Sequence, residues 1–218
     1  MKNASMTVNI TLMKRIVSAL AIFLIVLSCT FASDSYMGGS LALGYGFSYS
    51  KLSYAGIKED GAIHTFTVDP TAKFGHFFGA LGFEYFLKCN TMFLKFDDEW
   101  DYDSDTYDYD TNIDTGIYAA YRRPLTEKTG YILSAGPSFD YFESSVDGRK
   151  EKIFFLKVGA SAKMYRRIFA HLVLFYGLDV SAPIWSDVEV KVGGTEQTST
   201  IEVYGVHVSP FVGAAFSY

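Results

Sequence analysis

The stretch that decides the fold is the last fifteen residues, Tyr204-Gly205-Val206-His207-Val208-Ser209-Pro210-Phe211-Val212-Gly213-Ala214-Ala215-Phe216-Ser217-Tyr218. Every second side chain from Tyr204 to Tyr218 is apolar, and the positions between them are mostly small or polar. A period of two over this length predicts a β-strand with one apolar face. We therefore predict an all-β protein in which the same alternation recurs upstream.

Seven further segments alternate in the same way, which gives eight predicted strands. They are 38–51, 74–87, 91–97, 111–122, 130–143, 153–165, 169–180 and 203–218. Short connections at 88–90, 123–129 and 166–168 alternate with long ones at 52–73, 98–110, 144–152 and 181–202. Short turns at one end and long loops at the other are typical of a barrel that crosses a membrane.

The more apolar faces of the eight predicted strands carry no charged residue, although 20% of the chain is charged. A charge facing lipid costs about 2–4 kcal/mol near the midplane. An open sheet edge in hydrocarbon would leave backbone groups unpaired. We predict an eight-stranded antiparallel up-and-down transmembrane β-barrel, with possible irregularities at Pro137 and Pro210, which lack a donor for the ladder. A bulge at Pro210 would reverse the face of His207.

The ending Gly213-x-x-Phe216-x-Tyr218 resembles the terminal signal of bacterial outer-membrane β-barrel proteins, with one departure at Phe211. The whole architecture is similar to the small barrels of the OmpA, OmpX and OmpW type. This resemblance implies a monomer in the bacterial outer membrane, in contact with outer-membrane lipid. It also implies insertion by the barrel-assembly machinery, which would recognise the C-terminal strand through Gly213, Phe216 and Tyr218.

Residues 1–32 predict a cleaved secretory signal peptide, so that the barrel domain would span 33–218. The apolar run 16–27 follows two basic residues and is too short to span a bilayer. A start at Met13 instead of Met1 is a further hypothesis, and Cys29 as the acylated cysteine of a lipoprotein is an alternative.

The charge of the chain argues against nucleic acid as a partner. Loss of residues 1–32 removes three basic residues and no acidic one, which lowers the formal net charge from −5 to −8. Phosphate neutralisation requires clustered Lys and Arg instead. Cys89 would remain as a single cysteine, which excludes an intramolecular disulfide and a zinc site built on cysteine pairs. No cofactor is predicted.

The opposite strand faces are predicted to form a polar network inside the barrel. Its members are Glu84, Lys95, Asp97, Asp114, Asp140, Lys157, Lys163, His171, Asp179 and His207. An eight-stranded barrel is just wide enough for its own side chains, so these groups would form an ion-paired plug. A narrow polar path, a small ligand site, or a metal site on the histidines are the alternatives.

The pair His207-x-Ser209 resembles the His and Ser of outer-membrane lipid A deacylases. In those enzymes an acidic residue follows, whereas no acidic residue follows Ser209 here. Asp179 or Glu202 would have to orient the histidine.

An acidic run is predicted to form an external loop, made of Asp98, Glu99, Trp100, Asp101, Asp103, Asp105, Asp108 and Asp110. Its beginning resembles a calcium loop, but Thr106 and Asn112 occupy the positions of the required Gly and Glu. An EF-hand is therefore excluded, and weak divalent-ion binding or a recognition surface remains open.

Three functions follow from these features. The first is a scaffold that presents external loops for surface adhesion or recognition. The second is a narrow channel for small or hydrophobic solutes, as the OmpW resemblance implies. The third is a lipid-modifying enzyme of the lipid A deacylase kind, although we expect no enzymatic activity.

Overall fold

The architecture comes from a computed structural model of the full chain. It describes residues 34–54, 57–89, 91–96, 99–100, 109–146, 149–192 and 195–217. The predicted signal peptide and Tyr218 therefore lie outside the described residues. Among those residues there is no helix long and apolar enough to cross a membrane.

Ten β-segments account for almost all of the described chain. They are β1 (Ser35–Tyr54), β2 (Ile57–Phe78), β3 (Leu81–Cys89), β4 (Thr91–Phe96), β5 (Glu99–Trp100), β6 (Tyr109–Pro124), β7 (Thr129–Val146), β8 (Arg149–Arg167), β9 (Leu172–Val192) and β10 (Thr195–Ser217).

Eight strands form the barrel, because β3 and β4 together make one of them and the two-residue β5, which pairs with β4, is not counted as a separate barrel strand. Both pair antiparallel with β2 in a single register, from Phe78–Leu81 through Thr71–Lys88 to Ile63–Phe96. Sequential neighbours pair around the wall, and β1 pairs with both β10 and β2, which closes the ring. The predicted all-β, up-and-down antiparallel barrel of eight strands is confirmed.

The boundaries predicted for the second and third strands were wrong. The turn between them lies at Gly79 and Ala80 and not at 88–90, and Gly79 adopts a left-handed backbone with φ of 74°. Most of the predicted loop 52–73 belongs to β2. Consequently Phe77 points into the barrel, and the register places 92, 94 and 96 at inner positions of the wall.

The two ends of the barrel differ, and we call them the short-turn end and the hairpin end. The short-turn end holds the connections β2–β3, β6–β7 and β8–β9 together with both described chain ends. At the hairpin end, the ladders continue almost to the tips, with partners Tyr54–Ile57, Val146–Arg149 and Val192–Thr195. The predicted loops 144–152 and 181–202 are thus largely strand.

An uncharged band surrounds the outer surface of the wall. On β8 the outward positions from Phe154 to Met164 are uncharged, and Lys152 and Arg166 bound them. On β1 the outward side chains from Met37 to Tyr49 are apolar or glycine. Eleven residues on β8 match the roughly 9–11 that a tilted strand needs to cross a membrane. The band is therefore the membrane-facing surface.

The two prolines do not shift the register. Pairing of β10 with β1 keeps one register on both sides of Pro210, and β10 also pairs without interruption with β9 from His207 to Phe216. The bulge that would have reversed His207 is absent at Pro210. An irregularity occurs farther out, between Ser199 and His207, and a second one leaves Ile184 of β9 unpaired beside β8.

Candidate functional site: the barrel interior

Three ion-paired networks fill the middle of the barrel. The first, the Glu84 network, joins β1, β3, β7 and β8. Lys163 forms an ion pair with Glu84 and donates to Tyr36 Oη at 2.6 Å. Tyr36 and Ser134 both donate to the Glu84 carboxylate, Ser134 at 2.7 Å. The side chains of Lys163 and Glu84 are only 2% and 7% exposed, and such burial is tolerated because every charge has a partner.

The second, the Asp179 network, joins β2, β3 and β9. Asp179 accepts from Lys73 at 3.3 Å and lies 3.6 Å from the ammonium of Lys88. The ammonium of Lys73 also lies 3.6 Å from the ring centroid of Phe211. Phe211, the departure from the terminal signal, thus supplies a buried cation–π partner.

The third, the Lys157 network, joins β6, β7 and β8. Asp114 and Asp140 are register partners on neighbouring strands, so their carboxylates face each other across the ladder. Lys157 Nζ lies 2.7 Å from Asp114 Oδ2 and 3.0 Å from Asp140 Oδ2. One ammonium therefore bridges two carboxylates that would otherwise repel each other.

A hydrogen-bonded chain connects β10 to β2 beside these networks. Ser209 Oγ lies 3.1 Å from His207 Nδ1, and His207 Nε2 lies 3.2 Å from Thr67 Oγ1. Thr67 in turn donates to Asp69 Oδ2 at 2.8 Å. Gly44 makes room for the imidazole, because a Cβ at this position would lie 2.4 Å from His207 Cε1.

This hydrogen-bonded series contains an acidic residue, which the resemblance to deacylases requires. The acidic residue is Asp69 and not Asp179 or Glu202. The hydroxyl of Ser209 is nevertheless inaccessible to a lipid substrate, because Ser209 is fully buried and faces the barrel interior. An acyl chain in the surrounding lipid would have to cross the wall to reach the hydroxyl. The arrangement thus stabilises the wall and gives no support to a lipid-modifying site.

Aromatic and aliphatic side chains close the interior toward the short-turn end. They are Phe77, Ala120 and Ile132 on one side, and Ala42, Phe175, Phe211 and Ala215 on the other, with Tyr36 and Tyr165 packed against both. Gly213 belongs to this packing, since a Cβ there would lie 2.5 Å from the Phe175 ring. The glycine of the terminal signal therefore lets an interior ring approach the wall closely.

Seven residues predicted for the interior lie there, namely Glu84, Asp114, Asp140, Lys157, Lys163, Asp179 and His207. His171 does not, because it is exposed in the turn after β8 and its Nδ1 lies 3.1 Å from Ser217 O. The register pairs Lys95 with His64, which lies two residues before the outward-facing Phe66, so the backbone position of Lys95 belongs to the outer face of the wall. Asp97 lies outside the described residues.

Sequence reasoning missed five members of the networks, which are Tyr36, Asp69, Lys73, Lys88 and Ser134. Asp69 and Lys73 fell in a predicted loop and Lys88 in a predicted turn. Their spacing held the signal, because 67, 69, 71 and 73 alternate as polar residues with the less polar 66, 68, 70 and 72.

Of the predicted external loop, Glu99, Trp100 and Asp110 lie in strands by backbone, and the remaining acidic positions lie outside the described residues. Among the described residues no group of three or more His, Cys, Asp and Glu side chains is suited to a metal ion. Phe216 of the terminal signal is 61% exposed on the outer face of β10.

Comparison with solved structures supports the fold. Neisserial surface protein A matches with a TM-score of 0.50 at 13% identity, covering 84% of this chain and 97% of that one. The outer membrane protein OprG from Pseudomonas aeruginosa matches with a TM-score of 0.58 at 12% identity, covering 84% and 96%. The outer membrane protein AlkL matches with a TM-score of 0.53 at 15% identity, covering 86% and 92%. No family model matches the sequence. No curated protein matches it either.

Proposed function

We propose that this outer-membrane β-barrel is a closed scaffold that holds extended β-hairpins at the cell surface for adhesion or recognition. The observation that carries the proposal is the length of the strands relative to the uncharged band. β2, β9 and β10 contain 22, 21 and 23 residues, about twice the number needed to cross a membrane. The residues beyond those needed to cross the membrane lie at the hairpin end.

The projecting parts are built as a continuation of the wall. On β10, Glu202 is the first charged outward position beyond the band, and the strand continues to Thr195. Seven further residues correspond to about 20 Å along the strand. Ladder pairing to Val192 on one side gives this hairpin a rigid backbone on which side chains are held at fixed spacing.

The interior favours a closed scaffold over a channel. The side chains of Lys163, Glu84, Asp114 and Asp140 are 10% exposed or less, and aromatic rings pack below them. Removing one partner of a buried pair costs about 3–5 kcal/mol, so a continuous path would require costly rearrangement. The acidic run of the sequence between 98 and 110 favours basic partners over nucleic acid.

Shortening the hairpins tests the proposal. Lys51 and Asp60 are register partners, as are Glu189 and Thr198, so residues 52–59 and 190–197 can each be replaced by an Asn-Gly turn. We expect bacteria without adhesins of their own to attach to an epithelial monolayer when they carry the full chain. Cells carrying the doubly shortened variant should attach at least tenfold less.

Two controls make this test decisive. Heat-dependent electrophoretic mobility must show that the shortened barrel folds, and surface levels of the two proteins must be equal. Equal attachment of cells carrying either protein, or no attachment above empty cells, rejects the adhesion proposal. Stepwise conductance of the full chain in planar bilayers would favour the channel instead.

A further inference from the structure

A shallow apolar groove crosses the outer face of β7, β8, β9 and β10 near the short-turn end, with a volume of about 500 Å³. Two rows of register partners line it, one of Leu133, Ala162, Leu178 and Pro210, and one of Tyr131, Met164, Tyr176 and Val212. Ala162 lies between Leu133 and Leu178, so its short side chain forms the bottom of the groove and the two larger side chains form its sides. The volume falls within the range of small-molecule sites, about 300–1,000 Å³.

Two arginines lie at the short-turn end of this groove. Arg123 is the register partner of Tyr131, and Arg166 follows Met164 by two residues on the same face of β8. Register partners have Cβ atoms about 5 Å apart, and two residues along a strand span about 7 Å. Both guanidinium groups are therefore within side-chain reach of the groove and of a shared ligand between them.

Neither arginine has an ion-pair partner among the residues that the structure describes. Both are exposed, and no carboxylate among the described residues forms an ion pair with Arg123 or Arg166. The neighbouring Arg122 differs, because it forms an ion pair with Asp34 at 3.0 Å. The described residues of the short-turn end are mainly basic, with Arg122, Arg123, Lys128, Arg166 and Arg167 against Asp34 and Glu127.

An apolar groove that ends at two exposed arginines matches one class of ligand, an amphiphile with an acyl chain and an anionic head. Arginine binds phosphate through paired N–H donors, and basic residues at a membrane surface attract anionic lipids. The groove opens directly into the hydrocarbon next to the uncharged band, where such chains are the surrounding medium.

We propose that this groove binds an acyl chain of an anionic phospholipid in the leaflet on the short-turn side, and that Arg123 and Arg166 hold its headgroup phosphate. The site distinguishes one lipid class from the bulk bilayer, since a zwitterionic lipid offers the same chain but less net charge. This goes beyond the surface role of the hairpins, because it concerns the opposite end of the barrel.

Photolabelling of the folded full chain tests the site. The protein is placed in phosphatidylcholine vesicles containing a trace of phosphatidylglycerol with a diazirine in its acyl chain, and labelled peptides are identified by mass spectrometry. The comparison probe is phosphatidylcholine with the same diazirine. We expect phosphatidylglycerol to label β8 and β9 in the groove at least fivefold more than the comparison probe.

Variants separate the headgroup from the chain. Arg123→Gln and Arg166→Gln should each reduce the preference about fivefold. Arg167→Gln removes the same charge from the opposite face of β8 and should leave it unchanged. Ala162→Phe fills the groove and should abolish groove labelling by both probes, and heat-dependent mobility verifies that this variant folds.

Several results would overturn the proposal. Equal labelling by the two probes would show an ordinary lipid annulus. A preference that Arg167→Gln reduces as much as Arg166→Gln would show diffuse attraction to the basic rim. Protein–protein crosslinks across the groove, with the lipid label excluded, would show that a second copy covers it.

Discussion

Replacing Lys157 by Met should destabilise the barrel strongly, because it leaves two facing carboxylates in the interior without their shared cation. Asp114 and Asp140 are 6% and 10% exposed and are register partners. Removing one partner of a buried ion pair costs about 3–5 kcal/mol. The cheapest relief is for one carboxyl to take up a proton that the other accepts as a hydrogen bond. For a carboxyl with the ordinary aspartate pKa of about 3.9, protonation at pH 7 costs about 4 kcal/mol, so the two estimates agree.

The assay is urea unfolding of the barrel in lipid vesicles, followed by heat-dependent electrophoretic mobility. We expect Lys157→Met to lower the free energy of unfolding by about 4 kcal/mol at pH 7. Most of this loss should disappear at pH 4, where protonation of a carboxyl is nearly free. Asp114→Asn, Lys157→Met and Asp140→Asn combined should restore much of the stability, because no uncompensated charge remains.

Lys128→Met is the matched control, since Lys128 is exposed in the turn between β6 and β7. It should change stability by less than about 0.5 kcal/mol. The reasoning is refuted if Lys157→Met costs no more than this control, or if its cost is the same at pH 4 and pH 7.

Three further outcomes follow from the packing and the surface. Gly44→Ala should lower the free energy of urea unfolding by about 1–3 kcal/mol, because its Cβ would lie 2.2 Å from Thr67 Oγ1 and 2.4 Å from His207 Cε1. Adding His207→Ala removes the second of these clashes and should recover part of the loss, and no recovery would contradict the contact with the imidazole. Ala135→Arg, in the middle of the uncharged band, should cost about 2–4 kcal/mol in the same assay, whereas Ala170→Arg in a turn should cost little. His207→Ala alone should leave the acyl composition of lipid A unchanged by mass spectrometry, and a change would restore the enzymatic reading.

The sequence predicts the class of fold well because lipid imposes one rule on every strand. A charged side chain that faces lipid lowers the stability of the barrel. The alternation of apolar and polar residues is therefore kept in β1, β6, β7, β8, β9 and β10 and identifies the strands of the wall. The rule acts only inside the membrane. Beyond the band both faces of a hairpin meet water, so 52–54, 57–66, 185–192 and 195–202 lose the alternation and are predicted as loops although they are paired.

The second and third strands were misplaced for a different reason. The turn at Gly79 and Ala80 follows Phe77 and Phe78 directly, so it lies in an apolar stretch that does not look like a turn in the sequence. Phe77 faces the interior and Phe78 faces outward, so two consecutive aromatic residues interrupt the expected alternation of apolar and polar positions. Lys88 falls in the predicted turn 88–90, although its side chain is buried. In a filled barrel a charged residue at an inward position is instead a candidate ion-pair partner.

The sequence alone does not determine which charged residues form ion pairs in the interior. Lys163 could meet any carboxylate from the opposite wall, and its choice of Glu84 depends on how far each strand is displaced along its neighbour. That displacement is fixed around the whole ring, by closure of β10 on β1. Only the complete set of registers determines which charges meet.

The continuation of the barrel strands into the hairpins has a mechanical consequence. A load applied at the tip of the β9–β10 hairpin, as when a cell is held against flow, is directed along the strands. Tension in that direction shears many ladder hydrogen bonds at once and does not open them one after another. The hairpins should therefore resist unfolding when they are pulled along the strand direction. Separation of the strands under load should begin between Ser199 and His207, where the ladder of β9 and β10 is interrupted.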